Sequence, residues 1–327
     1  MSRLFIVAAN LSAAGLLSAL AGAAASAEDF PNRPIRMVVP YPPGGSNDFL
    51  ARLYSVKMTE MLGQQVVVDN RGGANTIIGN NIVAKSSPDG YTLLLAGSTQ
   101  TAIPHLYRNI PYDSLNDFAP IAGIARSEFL LVVNPAVPVK TVDDLIALAK
   151  KKPGGLNYAT SSTGGPTHLG AVHFQMLTGV TMQQVPYKGG GPAMIDLVGG
   201  QVQLGFANPA GSIPLVQAGR LRAVAVTGEK RLDALPQVPT FTEAGVPGLA
   251  LRNWYAITAP AATPKFVIDK LSSVILKIAA MPESRAALLK RGLDTFIATP
   301  GQIDALRRED WAINAKVIKA AGIKMQD

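Results

Sequence analysis

The feature that most constrains this chain is a repeating unit. An apolar, β-rich run enters a loop of Gly, Ser, Thr and Pro, and the loop opens a segment with helical spacing. Ile35 to Pro40 leads into Tyr41-Pro-Pro-Gly-Gly-Ser46. Leu50, Leu53, Tyr54, Met58, Met61 and Leu62 then recur near helical spacing, with Gly63 as the stop. Gln65 to Asp69 is the next strand, and the loop Asn70 to Asn75 precedes a helix bearing Ile78, Ile82 and Val83. Ser87-Pro-Asp-Gly90 is a turn and Tyr91 to Ala96 a third strand. Continuous apolar strands alternating with helices predict a parallel sheet covered on both faces.

The unit restarts at Thr141-Val-Asp-Asp144, a capping-box-like start for a helix through Lys150. Strands are predicted at Gly155–Thr160, Met182–Pro186, Val202–Ala207 and Leu221–Thr227. Between them, Leu169, Val172, His173, Met176 and Leu177 mark a helix face, Gly189 to Pro192 opens another helix, and Ser212 caps a short one. Glu128–Asn134 and Leu251–Thr258 read as two crossings between the sets. Thr263-Pro264 and Thr299-Pro300 start C-terminal helices that pack back on the first set. The expected architecture is two α/β domains joined by two strands, with a cleft between them. The domains span 28–125 plus 253–327, and 126–252.

The first 27 residues stand apart. Met1-Ser2-Arg3 is followed by an uncharged, apolar stretch and by Ala25-Ser26-Ala27, the order of a secretory signal peptide with a small-residue cleavage site. Its removal leaves 300 residues at +7, and no later window is long and apolar enough to span a bilayer. Export lowers the expectation of kinase or dehydrogenase chemistry.

Composition removes further classes. With no cysteine, a disulfide scaffold, a Cys-based zinc site, an iron–sulfur centre and a thiol nucleophile are all excluded. The 30 basic against 22 acidic side chains favour anions over cations as partners. The basic residues are dispersed, as at Lys150–Lys152 and Arg307-Arg308, without interleaved aromatics, which disfavours nucleic acid. No nucleotide-binding, metalloprotease or nucleophile-elbow motif occurs. His168 and His173 are five apart and share no helical face for a metal, and His105 stands alone. Ser98 and Ser161 are loop serines with no base placed beside them by sequence.

Four loops at predicted strand ends remain. They are Pro43-Gly44-Gly45-Ser46, Gly72-Gly73-Ala74-Asn75-Thr76, Ser161-Ser162-Thr163-Gly164-Gly165 and Gly189-Gly190-Gly191. Each alone is an ordinary turn with a helix start. As four in matched positions, they point to anion capture, because glycine admits a close ligand and helix starts present free N–H groups. Open α/β sheets hold ligands beyond the carboxyl ends of their strands, where these loops lie.

An ordered set of motifs runs through the chain: Val39-Pro-Tyr-Pro-Pro-Gly-Gly-Ser-Asn-Asp48 with Ala51-Arg52, then Asp69-Asn-Arg-Gly-Gly-Ala74, Ile78-Gly79 and Ser87-Pro-Asp-Gly-Tyr-Thr-Leu93. It continues through Tyr158-Ala-Thr-Ser161, Gly164, His168-Leu169, Val185-Pro-Tyr-Lys-Gly189, Pro192-Ala193, Gly199-Gly200-Gln201-Val202, Pro236 to Pro239 and Thr242-Glu-Ala-Gly245. This set resembles the solute receptors of tripartite tricarboxylate transporters, the Bug family. It implies a periplasmic binding protein of Venus-flytrap, type II-like architecture, a monomer with no cofactor or metal and no catalytic residue. Such a receptor grips a small organic carboxylate with loop backbone and hydroxyl groups and delivers it to a permease of one large and one small subunit. By position, the implied ligand contacts are Tyr41, Pro43, Gly44, Gly45 and Ser46, facing Thr160, Ser161, Thr163, Gly164, Tyr187, Lys188 and Gly189.

The residue reading adds Asn75, Thr76, Ser98 and Asn208. Asn75 replaces a common glycine, Ser162–Pro166 departs from the usual pattern, and Asn208 replaces a common acid. Asp48 is expected to support its own loop, and Lys188 either pairs with an anion or faces solvent. Two other functions stay open at this level: a sensor subunit for a membrane kinase, and a hydrolase using Ser98 or Ser161.

Overall fold

A computed structural model describes residues 30–249, 251–320 and 322–326. The predicted leader, 1–27, lies outside the described residues. Two sheets are built from the repeat that the sequence announces. The strands are β1 (Ile35–Val39), β2 (Val66–Asn70), β3 (Thr92–Gly97), β4 (Phe118–Glu128), β5 (Leu130–Val133), β6 (Asn157–Thr160), β7 (Gln183–Pro186), β8 (Leu204–Ala207), β9 (Arg222–Val226), β10 (Arg252–Pro260) and β11 (Asp294–Ala298). The first sheet runs in the order β11-β4-β10-β3-β1-β2 and the second in the order β7-β6-β8-β5-β9.

Each sheet has the same parallel core. β1 lies between β2 and β3, and β6 lies between β7 and β8, all parallel. In both, the third strand is flanked by an antiparallel one: β10 beside β3, and β5 beside β8. The sheets are therefore mixed, which corrects the expectation of a parallel sheet. A fully buried strand is apolar on both faces whichever way it runs, so its composition carries no direction.

Helices cover the sheets. α1 (Ser46–Leu62), α2 (Ile77–Ala84) and the short α3 (Thr99–Ala102) follow β1, β2 and β3. α4 (Val142–Lys151), α5 (Pro166–Thr178), α6 (Gly190–Val198) and α7 (Pro209–Gln217) serve the second sheet. The C-terminal α8 (Lys265–Ala280), α9 (Pro282–Leu289) and α10 (Pro300–Ala320) return to the first, where α8 and α10 pack on β4. The Thr141–Asp144 capping box is present in both directions. Ser212, however, lies inside α7 rather than capping it. Pro209 sets the first turn, so Asn208 becomes the N-cap, and the Ser212 hydroxyl donates back to the Asn208 carbonyl at 2.9 Å.

Alternation along β5 explains the two-sided core. Leu131 and Val133 point to a layer with Val142, Leu145, Phe174 and Phe241, while Leu130 and Val132 meet Ala193, Leu197 and Ile213 on the opposite face. Each fully buried Leu or Val contributes about 1.5–3 kcal/mol of transfer free energy.

The passage between sheets is short. β4 ends at Glu128 and β5 begins at Leu130, so Phe129 alone separates them. Thr227 ties this crossing to the returning one. Its hydroxyl accepts the Phe129 N–H at 2.9 Å and donates to the Leu251 carbonyl at 2.7 Å, and its own N–H donates to the Phe129 carbonyl at 2.9 Å.

The C-terminal helices are anchored by buried polar groups. Trp254 on β10 donates its indole N–H to Asp310 on α10. Arg307 is fully buried, and its guanidinium donates to the carbonyls of Phe118 at 3.2 Å, Ser114 at 2.5 Å and Leu115 at 3.2 Å. Burial pulls its pKa down to about 10, so it remains charged at neutral pH. Arg307→Met leaves those carbonyls without donors and should lower the unfolding free energy by about 2–4 kcal/mol in urea titrations. Arg308→Met, at the exposed neighbour, should change it by no more than about 0.5 kcal/mol. Equal effects of the two would contradict the anchoring role.

Candidate functional site

The loop after β1 is shaped by its own residues. Pro42 and Pro43 lack N–H groups, Gly44 has φ +92°, and Gly45 is the extended N-cap of α1, which has no side-chain cap. The first-turn N–H groups of α1 are thus left without an intrahelical partner. The Gly44 N–H donates to Asp48 Oδ2 at 3.1 Å, and Arg52 Nε donates to the same oxygen at 3.0 Å. Burial alone would raise the Asp48 pKa, but Arg52, Gly44 and Asn70 together hold it below the usual carboxylate range. Asp48 thus supports its own loop, as its position suggested.

Loops of neighbouring strands interlock. The Tyr41 hydroxyl donates to Thr99 Oγ1 at 3.0 Å, linking the ends of β1 and β3, and burial pushes its pKa up to about 12. Asn70 Nδ2 holds the Tyr41 carbonyl at 3.1 Å. Ser98 is buried and donates to Asn253 Oδ1 at 2.6 Å. Ser46 is buried too; burial raises the pKa of Tyr255, and Ser127, Ser46 and Asn253 oppose this through hydrogen bonds.

The loop after β2 is unusual. Ala74, Asn75 and Thr76 have φ of +43°, +49° and +79° in succession. None is glycine, and a β-branched residue such as Thr76 is rare in that region. The base of the loop is pinned. The Arg71 N–H donates to the Val39 carbonyl at 2.8 Å, and Asn80 Nδ2 donates to Thr76 Oγ1 at 3.3 Å and to the Tyr112 hydroxyl at 3.1 Å.

On the second sheet, Thr160 is fully buried at the end of β6, and Gln184 Nε2 donates to its hydroxyl at 2.9 Å. The Ser161 N–H donates to Thr167 Oγ1 at 3.0 Å, and the two hydroxyls lie 3.0 Å apart. The Gly164 N–H donates to His168 Nδ1 at 2.8 Å. His168 is buried, and its burial pulls the pKa down to about 4, so the ring is a neutral acceptor here. The Gly189 N–H donates to the Ser161 carbonyl at 2.9 Å. Asn208 stands at the N-cap position of α7 without making a side-chain cap bond, and its Oδ1 is buried without a protein partner.

The loops of the two sheets meet. Asn75 Nδ2 donates to the Thr163 carbonyl at 3.1 Å. Gly164 lies on Leu106: a Cβ at Gly164 would come within 2.1 Å of the leucine side chain. Tyr187 and Lys188 lie on the loop after β7, where the Tyr187 N–H donates to the Thr160 carbonyl at 2.9 Å. The Tyr187 hydroxyl donates to Asp196 on α6 at 2.7 Å, and Lys188 is exposed. Pro43, Gly44 and Gly45 are also exposed, at the rim.

Several polar residues here were not singled out from the sequence. Asn47 Nδ2 is buried without a protein partner and lies against Gly97 beside Asn253. Gln100 is buried with both amide atoms unpartnered by protein. Thr99, Asn253 and Tyr255 complete this belt. Only Asn253 had a visible signal: a polar residue inside the apolar run LRNWYAIT, which burial obliges to find a partner.

The arrangement suits a small anion held by neutral groups. Arg52 is committed to Asp48, while hydroxyls, amides and helix starts supply donors that stay neutral across ordinary pH. It is poorly suited to acyl transfer. The Ser98 hydroxyl is committed to Asn253 and that of Ser161 to Thr167, with neither on a histidine or carboxylate. No group of three or more metal-ligating side chains occurs among the described residues. A groove of about 870 Å³ lies elsewhere, beside edge strand β9, lined in part by Val142, Val224, Val238, Arg222 and Glu243. Of its four charged lining residues, Lys140, Asp143, Arg222 and Glu243, Arg222 is held by the Val139 carbonyl at 2.7 Å and Glu243 by Arg231 at 2.8 Å.

Residues 50–323 match the family described as tripartite tricarboxylate transporter family receptor. The chain is 38% identical to protein BugT of Bordetella pertussis over 97% of this chain and 98% of that protein. It is similar to an R. palustris protein solved with adipate, at TM-score 0.88 and 36% identity, covering 91% of this chain and 100% of that one. It is also similar to the periplasmic binding protein BugD, at TM-score 0.85 and 33% identity, covering 91% and 100%.

The His168–Gly164 bond carries a pH signature. A histidine whose folded pKa is about 4 against an ordinary 6.5 stabilises the fold above pH 6.5 and loses that contribution as pH falls toward 4. His168→Gln keeps an acceptor but does not titrate. Urea unfolding of the two proteins at pH 7.5 and pH 4 should show wild type losing about 1–3 kcal/mol more than the variant. Parallel profiles would mean His168 is not the buried, neutral acceptor described.

Proposed function

The chain belongs to the tripartite tricarboxylate transporter receptor family, and from that premise we propose that it captures a small organic carboxylate between the strand-end loops of its two sheets. It then delivers the ligand to a permease of two membrane subunits. Segments 28–125 plus 253–327, and 126–252, act as the two lobes. The leader is removed after Ala27, and the mature chain works in the periplasm, as a monomer without cofactor or catalytic turnover.

The observation that carries this reading is the matched pair of strand ends. Each sheet presents β-loop-α ends at its parallel core, rich in glycine, hydroxyl and backbone donors, and the ends touch through Asn75 and Thr163. Ligand contact is assigned to Tyr41, Pro43, Gly44, Gly45, Ser46, Asn75, Thr76 and Ser98 on one side. Thr160, Ser161, Thr163, Gly164 and Asn208 face them, with Tyr187, Lys188 and Gly189 at the margin. Adipate, found with one similar protein, is a dicarboxylate, in keeping with anion-binding ends on both lobes. A closed form that binds the acid better than an open one is populated by the ligand, and the permease reads closure.

A thermal-shift screen against mono-, di- and tricarboxylates, with amines as controls, tests the reading. A ligand at about 100 times its Kd adds about 2.7 kcal/mol, a rise on the order of 5 °C. Gly45→Val should keep the fold and lose the shift, because the backbone there is extended at φ −86°, its Cβ position is open, and it sits at the start of α1. Silence from every acid, or a full shift in Gly45→Val, would overturn the assignment.

A further inference from the structure

The Ala74–Thr76 turn is a strained segment aimed at the opposite sheet. Three successive non-glycine residues hold positive φ, a conformation that persists only where the surroundings over-determine it. Those surroundings are present. Gly79 is tight against Pro40 and the Arg71 carbonyl, where a Cβ would meet atoms at 2.7 and 2.8 Å. Thr76 and Asn80 are buried and bonded to each other, and Asn80 reaches Tyr112. The turn is therefore fixed to the first sheet, and Asn75 projects from it at a set place.

The acceptor is fixed with equal care. The Thr163 carbonyl immediately precedes the Gly164 N–H, which is bound to buried His168. Gln184, on β7, reaches both Thr160 at 2.9 Å and Thr163 at 3.5 Å. Each end of the Asn75–Thr163 bond is thus supported within its own sheet, and the bond joins the lobes beside an apolar contact in which Leu106 and Ile318 meet Leu169.

We propose that Asn75 is a cross-cleft latch, a specificity-determining residue that holds the two lobes together before a ligand contributes. Asparagine suits the role because it tolerates left-handed backbone and carries a donor of the right length. The proposal rests on the two-lobe receptor reading. It adds that this chain's affinity and resting state are set partly by a protein–protein bond at the mouth of the site. An acid has to fit beneath that bond, which limits the size of ligand that permits full closure.

The chain has no cysteine, so two introduced ones can be labelled without background. Val56 on α1 and Ile195 on α6 are exposed at 58% and 72%. Spin labels at Val56→Cys and Ile195→Cys report the distance between lobes by pulsed electron resonance, with no ligand needed. The unliganded parent should populate a short distance. Asn75→Asp keeps the shape and the left-handed turn but removes the donor, and Asn75→Gly removes the side chain while relaxing the backbone. Both should lower the ratio of short to long distances about fivefold or more. Ala74→Gly relieves strain at φ +43° while leaving both the Asn75 amide and the Thr76–Asn80 bond in place, and should leave the ratio the same or higher. Unchanged distributions in both Asn75 variants would overturn the latch, as would loss of the short distance in Ala74→Gly alone. Because no acid is present, a failed ligand screen would bear on the receptor reading and not on this result.

Discussion

The structure depends on one constraint: the two sheets are joined through a crossing one residue long. Phe129 separates a strand of the first sheet from a strand of the second, and Thr227 binds it on both its N–H and its carbonyl. The same threonine hydroxyl reaches Leu251, just before the strand that returns. Two crossings clasped at one side chain leave little freedom except rotation about the clasp. The parallel core of each sheet then sits a fixed distance from the pivot, through β10 on one side and β5 on the other. That is why loops more than 80 residues apart in sequence, such as those of Asn75 and Thr163, arrive at one place.

Apart from the Asp48–Arg52 ion pair, what gathers there is neutral. Tyrosine, threonine, serine and asparagine side chains are bonded to one another around glycine turns, and the buried histidine is held uncharged. Donors already placed by such bonds need little rearrangement to receive an anion. Their geometry also survives changes of pH and salt that would weaken an exposed ion pair. The excess of basic residues in the chain is consistent with attraction of anions at long range, but close recognition falls to backbone and hydroxyl groups.

Much of this was legible in the sequence, and the gaps have physical causes. The strand-loop-helix unit could be read because buried strands are uniformly apolar and their loops carry glycine. Strand direction could not, since β4, β5 and β10 look alike whichever way they run. β11 is a short edge strand, mostly half-buried, and its apolar run is only Phe296-Ile297-Ala298, too short to read as a strand. The long β4 is interrupted by Pro120 and Gly123, which broke its pattern. At the site, the glycine loops stood out, whereas the Ser98–Asn253 bond links residues 155 apart and leaves no local mark. The left-handed turn was hidden because Ala74 and Thr76 ordinarily avoid that backbone region. Only Asn75 hinted at it, and its partner lies on the other sheet.

The most direct test of the account is a crystal structure of the chain with a carboxylate identified by screening. The account predicts the carboxylate between the ends of β1, β3, β6 and β8, within hydrogen-bond distance of backbone N–H, hydroxyl and amide groups. It also predicts that Asn75 still meets the Thr163 carbonyl above it. A carboxylate held instead by a lysine or arginine side chain, or seated in the groove beside β9, would contradict it.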